Sequence, residues 1–333
     1  MTLPAAILGT SYWMDHIPAD KLHAMPVLVF RSPSDPVERW QQELENALPG
    51  LEVRIWPDIG DPAEVDYALI WAAPDDMLHE LPNLRLVFSV GAGVDHLLGE
   101  TVPRQVPIVR MVDPALTEGM VEYVVYQVLR HHRGMPVYED QQARAQWLAH
   151  DQARPGERGI GILGLGQLGS ACGSALAHLG FRVAGHSRSR RRLDGIDCHA
   201  GPGEFTDFLA ASEFLICLLP LTAETRGILN ADLFAALPRG AVLIHAGRGA
   251  QLVESDLHTA LDEGRLAHAV LDVFAEEPLP GDHAFWSDPR VTVTPHVASL
   301  TNPVTGAARV ADGIRSDLAG HLPEHVVDRE RGY

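Results

Sequence analysis

The feature that most constrains this chain is the hexapeptide Gly164-Leu165-Gly166-Gln167-Leu168-Gly169, which follows the apolar run Ile160–Leu163. After it, Leu168, Cys172, Ala175, Leu176 and Leu179 recur at the spacing of one helical face. Strand, glycine turn and helix in that order open a βαβ unit. The glycines permit a tight turn, let a pyrophosphate approach the backbone and bring helix and strand close together, while the helix N-terminus faces the negative charge. Gly164, Leu165, Gly166, Gln167, Leu168 and Gly169 are therefore expected to cradle a dinucleotide.

Further apolar runs follow at Phe181–Gly185, Phe214–Leu219, Ala241–His245, His268–Asp272 and Val291–Thr294, with helix-like stretches between them. Short strands alternating with helices predict a parallel sheet covered on both faces. The first 110 residues carry a second set, Val27–Phe30, Glu52–Trp56, Tyr67–Trp71, Leu84–Val90 and Ile108–Met111, broken by prolines. At 333 residues the chain exceeds what one core usually spans. The expectation is an α/β fold of two Rossmann-like lobes, each a doubly wound parallel sheet, with the cofactor in the cleft between them. Residues 1–112 and 301–333 would form a substrate domain and 113–300 a dinucleotide-binding domain. Val121, Val124, Val125, Val128 and Leu129 predict a hinge helix near 117–133, and a last helix is expected over about Pro303 to Leu318.

Composition narrows the partners. The formal net charge of -18 and the lack of a long basic run argue against nucleic acid and anionic lipid. The three cysteines form no CxxC pair, which argues against disulfides and a structural zinc, so no metal is expected. The N-terminal segment has no basic region, and no apolar run approaches the roughly 20 residues of a membrane span. A cytoplasmic protein is expected.

The second strand of the nucleotide unit ends at Gly185-His186-Ser187-Arg188-Ser189-Arg190, where an acid would hold the ribose 2′-hydroxyl of NAD. No acid is present. A hydroxyl followed by guanidinium groups suits a 2′-phosphate, so Ser187, Arg188 and Ser189 favour NADPH, with NADH a weaker alternative. The competing reading of Arg188–Arg192 is a solvated turn.

Arg248, Glu277 and His296 each follow a predicted strand of the same sheet, at the carboxyl ends where open α/β sheets bind ligands. Their types fit reduction of a small 2-oxo acid. Hydride arriving at the ketone builds charge on its oxygen, and histidine can supply the proton there. A neighbouring carboxylate would favour the imidazolium, and an arginine can orient the substrate carboxylate and polarise the ketone. Gly91-Ala92-Gly93-Val94, a glycine turn, offers amides for the carboxylate from the other lobe. Each triad member alone also reads as a solvated turn residue, and it is their joint placement that carries the reading.

These motifs, with Leu271-Asp272-Val273-Phe274, Glu276-Glu277-Pro278-Leu279-Pro280 and Thr294-Pro295-His296-Val297-Ala298, resemble the D-isomer-specific 2-hydroxyacid dehydrogenases. Val90–Asp95, Ser187–Arg190 and Val327–Tyr333 extend the likeness, toward members that reduce glyoxylate and hydroxypyruvate, over nearly the whole chain. The resemblance implies that Arg248 binds substrate, His296 is the acid/base and Glu277 tunes it. It implies cofactor contacts from Leu219, Pro220, His245, Ala246, Gly247, Asp272 and Ser299, with Asp272 at the nicotinamide end or, alternatively, acting as a strand-end cap. It also implies a homodimer in which Trp147 reaches the partner's active site, the alternative being an indole packed within its own chain. His245 departs from the asparagine common at its position. No regulatory C-terminal extension is expected. Two other readings are a dehydrogenase for another 2-oxo acid, including a phosphate-bearing one for which Arg85 is the nearby cation, and a non-catalytic dinucleotide-sensing binding protein.

Overall fold

The computed structural model describes residues 25–74 and 76–333; the N-terminal segment lies outside them. Among the described residues the chain forms two compact units, one running up to Ala115 and resuming at Thr301–Tyr333, the other Leu116–Leu300.

In chain order, the elements begin with β1 (Val27–Arg31), α1 (Val37–Ala47), β2 (Glu52–Ile55), β3 (Tyr67–Ile70), β4 (Leu86–Ser89) and β5 (Ile108–Val109). Then come α2 (Pro114–His132), α3 (Met135–Ala143), β6 (Gly159–Leu163), α4 (Gln167–His178), β7 (Arg182–Ser187), β8 (Ile196–Ala200) and α5 (Phe205–Ala210). The chain continues through β9 (Phe214–Cys217), α6 (Ala231–Ala236), β10 (Ala241–His245), α7 (Glu254–Asp262), β11 (Leu266–Leu271), β12 (Val291–Val293) and α8 (Pro303–Leu318).

The first unit is a parallel sheet in the order β2-β1-β3-β4-β5. Its central strand β3 is buried at every residue, as a strand covered on both faces must be. On one face α1 buries Trp40 and Leu44, one helical turn apart. Trp40 also lies against α8, with the Gly306 backbone close enough that an added Cβ would sit 2.6 Å from the indole. Burial of two such side chains contributes about 1.5–3 kcal/mol each.

The second unit is a seven-stranded parallel sheet in the order β12-β11-β10-β9-β6-β7-β8. Counted from β6, the direction of winding reverses between β6 and β9, which pair from Ile160↔Phe214 to Leu163↔Cys217. This is the topology of a dinucleotide-binding sheet, and the reversal marks the crevice where such sheets take their ligands. One core lies against α2 and α4, with Val124, Val128, Ile162, Cys172, Leu176, Ile216 and Ile244 buried. The other face is filled by Leu163, Phe208, Leu215, Phe234, Leu243, Leu257 and Phe285.

The apolar runs all became strands, with ends moved by at most two residues. Phe214–Leu219 stops at Cys217, where Leu218 leaves the sheet, and Leu84–Val90 is trimmed to Leu86–Ser89. Strand β8 was not expected: Ile196 is its one fully buried residue, so its sequence carries no apolar run. All three cysteines are unpaired, and burial pushes the Cys172 and Cys217 thiols up to about 12. Among the described residues no helix is long and apolar enough to cross a membrane.

Candidate active site

The carboxyl ends of β6, β7, β9, β10, β11 and β12 lie along one edge of the second sheet, because every strand runs the same way. The glycine loop opens that edge. Gly164 has φ +99, and a Cβ there would sit 3.0 Å from the Leu218 carbonyl oxygen. A Cβ on Gly169 would fall 1.9 Å from the Gly164 carbonyl oxygen, so helix α4 packs on the loop as only glycine allows. A Cβ on Gly166 would meet nothing within 4 Å, and no side chain caps the α4 N-terminus. Room beside uncapped amides at a helix N-terminus fits a pyrophosphate. Gln167 is exposed and Leu168 half-buried, whereas Leu165 is buried, so Leu165 offers the loop only its main chain.

At the end of β7, Ser187 Oγ donates to the Ser189 carbonyl at 2.9 Å. Arg188 and Ser189 are exposed, and the Arg188 charge helps to lower the Glu224 carboxyl, behind a hydrogen bond from Thr222. Arg190 is held by Glu204 and the Cys198 carbonyl. Thus Arg190 is committed to the loop, and Arg188 lies at the exposed edge.

His296 and Glu277 come together. His296 Nδ1 donates to Glu277 Oε2 at 2.8 Å, and Phe274 N–H donates to Glu277 Oε1 at 2.8 Å. Burial pushes the Glu277 carboxyl up, but the His296 hydrogen bond, the Phe274 amide and the charges of His296 and Arg248 outweigh it and hold the group below its usual range. The carboxylate is thereby kept ionised and its orientation fixed. Arg248 lies on the turn after β10. A Cβ on the next residue, Gly249, would sit 1.8 Å from the Phe274 carbonyl carbon, so this turn is pressed against the segment that leads to Glu277. The glycine after Arg248 is what lets the arginine and the carboxylate share one corner.

His296 occupies a left-handed conformation, φ +54, which a non-glycine residue adopts only when its surroundings impose it. Asp272 imposes it. Its carboxylate accepts from Thr294 Oγ1 at 2.6 Å and from the amides of Val297 and Ala298 at 2.9 Å each, while its carbonyl accepts from His296 N–H at 2.9 Å. Asp272 is 1 % exposed, and its desolvation pushes the carboxyl up against those hydrogen bonds. The acid expected at the nicotinamide end thus grips the histidine turn. Sequence reasoning missed Tyr123, whose hydroxyl extends this network to Thr294 Oγ1 at 2.7 Å.

His245 is wholly buried, with Nε2 2.9 Å from the Arg248 carbonyl oxygen. Burial pushes its imidazole down to about 4, so it is neutral near pH 7 and Nε2–H donates to that carbonyl. Leu219, Ala246 and Ser299 are half-buried, Pro220 is exposed and Gly247 buried; Ser299 Oγ donates to the Leu116 carbonyl.

In the first unit, Gly91, Ala92 and Gly93 form a half-buried turn after β4, while Val94 is 3 % exposed with its side chain in the core. Ser89 Oγ donates to the Gly93 carbonyl at 2.9 Å and steadies the turn. Arg85 lies at the opposite end of β4, paired with Asp317 at 2.6 Å and stacked over Tyr67. Trp147 follows α3 and is fully exposed, which removes the alternative of an indole packed within its own chain. Among the described residues no cluster of histidine, cysteine or carboxylates could hold a metal.

Residues 125–298 match the family described as D-isomer specific 2-hydroxyacid dehydrogenase, NAD binding domain. The chain belongs to the D-isomer-specific 2-hydroxyacid dehydrogenases. Among its relatives, glyoxylate/hydroxypyruvate reductase A of Yersinia enterocolitica is 41% identical over 312 residues, covering 92% of this chain and 99% of the relative. A D-isomer specific 2-hydroxyacid dehydrogenase from Xanthobacter autotrophicus Py2, solved in complex with NADPH and MES, is 42% identical with a TM-score of 0.89, covering 93% of this chain and 100% of that one. An NADPH-dependent glyoxylate/hydroxypyruvate reductase from Sinorhizobium meliloti, in complex with NADP and sulfate, is 40% identical with a TM-score of 0.87, over 92% of this chain and 99% of that one.

Proposed function

We propose that this chain is an NADPH-preferring reductase of small 2-oxo acids, converting glyoxylate to glycolate and hydroxypyruvate to D-glycerate. The observation that carries the proposal is the His296–Glu277 pair at 2.8 Å, set with Arg248 at the carboxyl edge of a dinucleotide-type sheet. The relatives named above, two of them solved with NADPH or NADP, support the substrate class and the cofactor.

When bound, the dinucleotide supplies the hydride. Gly164 to Gly169 hold its pyrophosphate, and Ser187, Arg188 and Ser189 hold the 2′-phosphate that distinguishes it from NADH. Leu219, Pro220, Ala246, Gly247 and Ser299 would contribute further contacts to it. Arg248 engages the substrate carboxylate and draws electron density from the ketone. With Nδ1 committed to Glu277, His296 delivers the proton from Nε2 to the ketone oxygen as charge builds there, so hydride and proton together yield the 2-hydroxy acid. Glu277 offsets the positive charge of His296 before the transfer. The main-chain amides of Gly91, Ala92, Gly93 and Val94 are further candidates for binding a substrate carboxylate. The engagement of Arg85 by Asp317 and Tyr67 gives no support to a phosphate-bearing substrate.

We further propose a cytoplasmic homodimer. Tyr126, Met135, Val137, Trp147 and Leu148 are large apolar side chains left exposed on and after α2 and α3, and Trp147 would reach the partner's active site. Three unpaired thiols suit a reducing compartment.

The test is the loss of NADPH absorbance and, separately, NADH absorbance with glyoxylate and with hydroxypyruvate, at a pH of about 6.5 to 7.5 where a histidine donor works. Faster oxidation of NADPH is expected. No oxidation of either cofactor with either acid would overturn the proposal, and binding without turnover would return the chain to a dinucleotide-sensing role.

A further inference from the structure

Gln251 is the one buried glutamine on the catalytic-arginine turn, and none of its side chain is exposed. Its carboxamide is used at both ends. Oε1 accepts the Arg248 N–H at 2.8 Å, and Nε2 donates to the carbonyls of Leu219 at 3.1 Å and Pro220 at 3.0 Å. Cys217 Sγ, at the end of β9, also points to Oε1 at 3.8 Å. One side chain therefore ties the backbone of Arg248, which follows β10, to the loop that follows β9. The turn is shaped around it: a Cβ on Gly247 would fall 2.3 Å from Gln251 Oε1. The other end of the Arg248 peptide is held as well, since its carbonyl accepts from His245 Nε2 and from Gln251 N–H, each at 2.9 Å.

We infer that Gln251 is a positioning residue for the reduction: through its carboxamide it sets the backbone of Arg248 relative to the Leu219-Pro220 loop, and so sets where the guanidinium meets the substrate carboxylate. The inference rests on the reading of Arg248 as the substrate-binding arginine. Its chemistry is specific to an amide. A glutamate would keep an acceptor for Arg248 N–H but would turn a lone pair toward two carbonyl oxygens, and a methionine would leave the Arg248 amide and both carbonyls without this partner in a site closed to water. An arginine side chain displaced by even about 1 Å loses a bidentate contact to a carboxylate, and rate falls steeply with such misplacement.

The test is a double-mutant cycle in kcat/KM for glyoxylate with the full chain, using Gln251→Met, Arg248→Ala and the two together. Gln251→Met is expected to lower kcat/KM about tenfold or more, chiefly by raising KM for glyoxylate, while NADPH fluorescence titration still reports a folded, binding protein. In the Arg248→Ala background the same substitution should add little, because the group it positions is gone. If the two losses simply multiply, Gln251 acts through the fold at large and the inference is wrong, while the reading of Arg248 stands. If Arg248→Ala keeps wild-type kcat/KM, the reading of Arg248 fails and the inference falls with it. Should Gln251→Met not yield folded protein, Gln251→Glu runs the same cycle, where a smaller loss in the Arg248→Ala background supports the inference and multiplying losses overturn it.

Discussion

Replacing Glu277 by glutamine keeps the shape of the side chain and removes its charge. The structure sets the size of the consequence. His296 Nδ1 lies 2.8 Å from Glu277 Oε2, and the two side chains are 32% and 36% exposed. At that separation Coulomb's law gives about 1.5 kcal/mol in water and about 3 kcal/mol at an effective dielectric of about 40, between water and a buried site. Screening and side-chain ordering remove part of this, leaving about 1–2 kcal/mol. A glutamine also has a single oxygen where the carboxylate has two, and the Phe274 amide and the imidazole would compete for it.

The loss acts on the protonated form of His296, which is the form that reduction needs. The rate of glyoxylate reduction near pH 7.5 should therefore fall about tenfold. The carboxylate carries the complementary sign. Because the Glu277 carboxyl is held below its ordinary range, the pair's contribution is complete above the unfolded carboxyl's pKa of about 4.3 and is lost only as pH falls through the lower folded value. Ionisation of Glu277 thus does not limit the wild-type rate across about pH 6 to 9. The measurement is of initial rates of NADPH oxidation across that range, for both proteins. An unchanged rate would refute the assignment of Glu277 to His296.

Three other outcomes follow from the same geometry. Asp272→Asn should leave an amide donor facing the Ala298 or Val297 N–H, lowering stability by about 1–3 kcal/mol in urea unfolding and reducing turnover through the displaced His296 turn. Arg188→Ala should raise KM for NADPH about tenfold while leaving KM for NADH in place, as steady-state rates with each cofactor will show. The rings of His131 and His268 lie 4.4 Å apart, tilted by 45°, and burial holds their imidazoles down at about 3 and about 4. Since both folded values lie below the unfolded value of about 6.5, their neutral-form stability is complete above that pH and declines as pH falls toward 4. His268→Gln, which can keep the hydrogen bond to Thr292, should recover about 1–2 kcal/mol of the stability that the wild type loses between pH 7 and 5 in urea titrations, after allowance for partial exposure.

What the sequence revealed follows from which signals are local. The glycine loop was legible because strand, turn and helix sit side by side in the chain, and each glycine answers a close approach within that unit. The strands of the two sheets were legible wherever burial on both faces wrote a continuous apolar run, as in Ala241–His245. Strand β8 was not, because it is an edge strand with one buried residue and leaves no such run. The three residues of the chemical site could be placed at strand ends, but the 2.8 Å approach of His296 and Glu277 depends on the turn conformation, which Asp272 sets from another strand. Polar residues that act inside the protein were the least legible. Nothing local in the sequence marks Gln251, whose partners lie on the loop after β9, and of the two readings of Asp272 the strand-end cap is the one the amides of Val297 and Ala298 on its carboxylate agree with. Leu165 and Val94 sit in the two glycine loops with their side chains packed inward, a division between main chain and side chain that a sequence motif does not display.

The measurement that tests the account most directly is the behaviour of His296→Gln, with turnover of glyoxylate and binding of NADPH measured on the same protein. A glutamine can still meet Glu277 but cannot act as the acid. The account predicts that turnover falls by about 10²- to 10⁴-fold, as expected for loss of a general acid, while the NADPH dissociation constant, read by fluorescence titration, stays within a few fold of wild type. Turnover left near the wild-type value would contradict it and remove His296 from the chemistry.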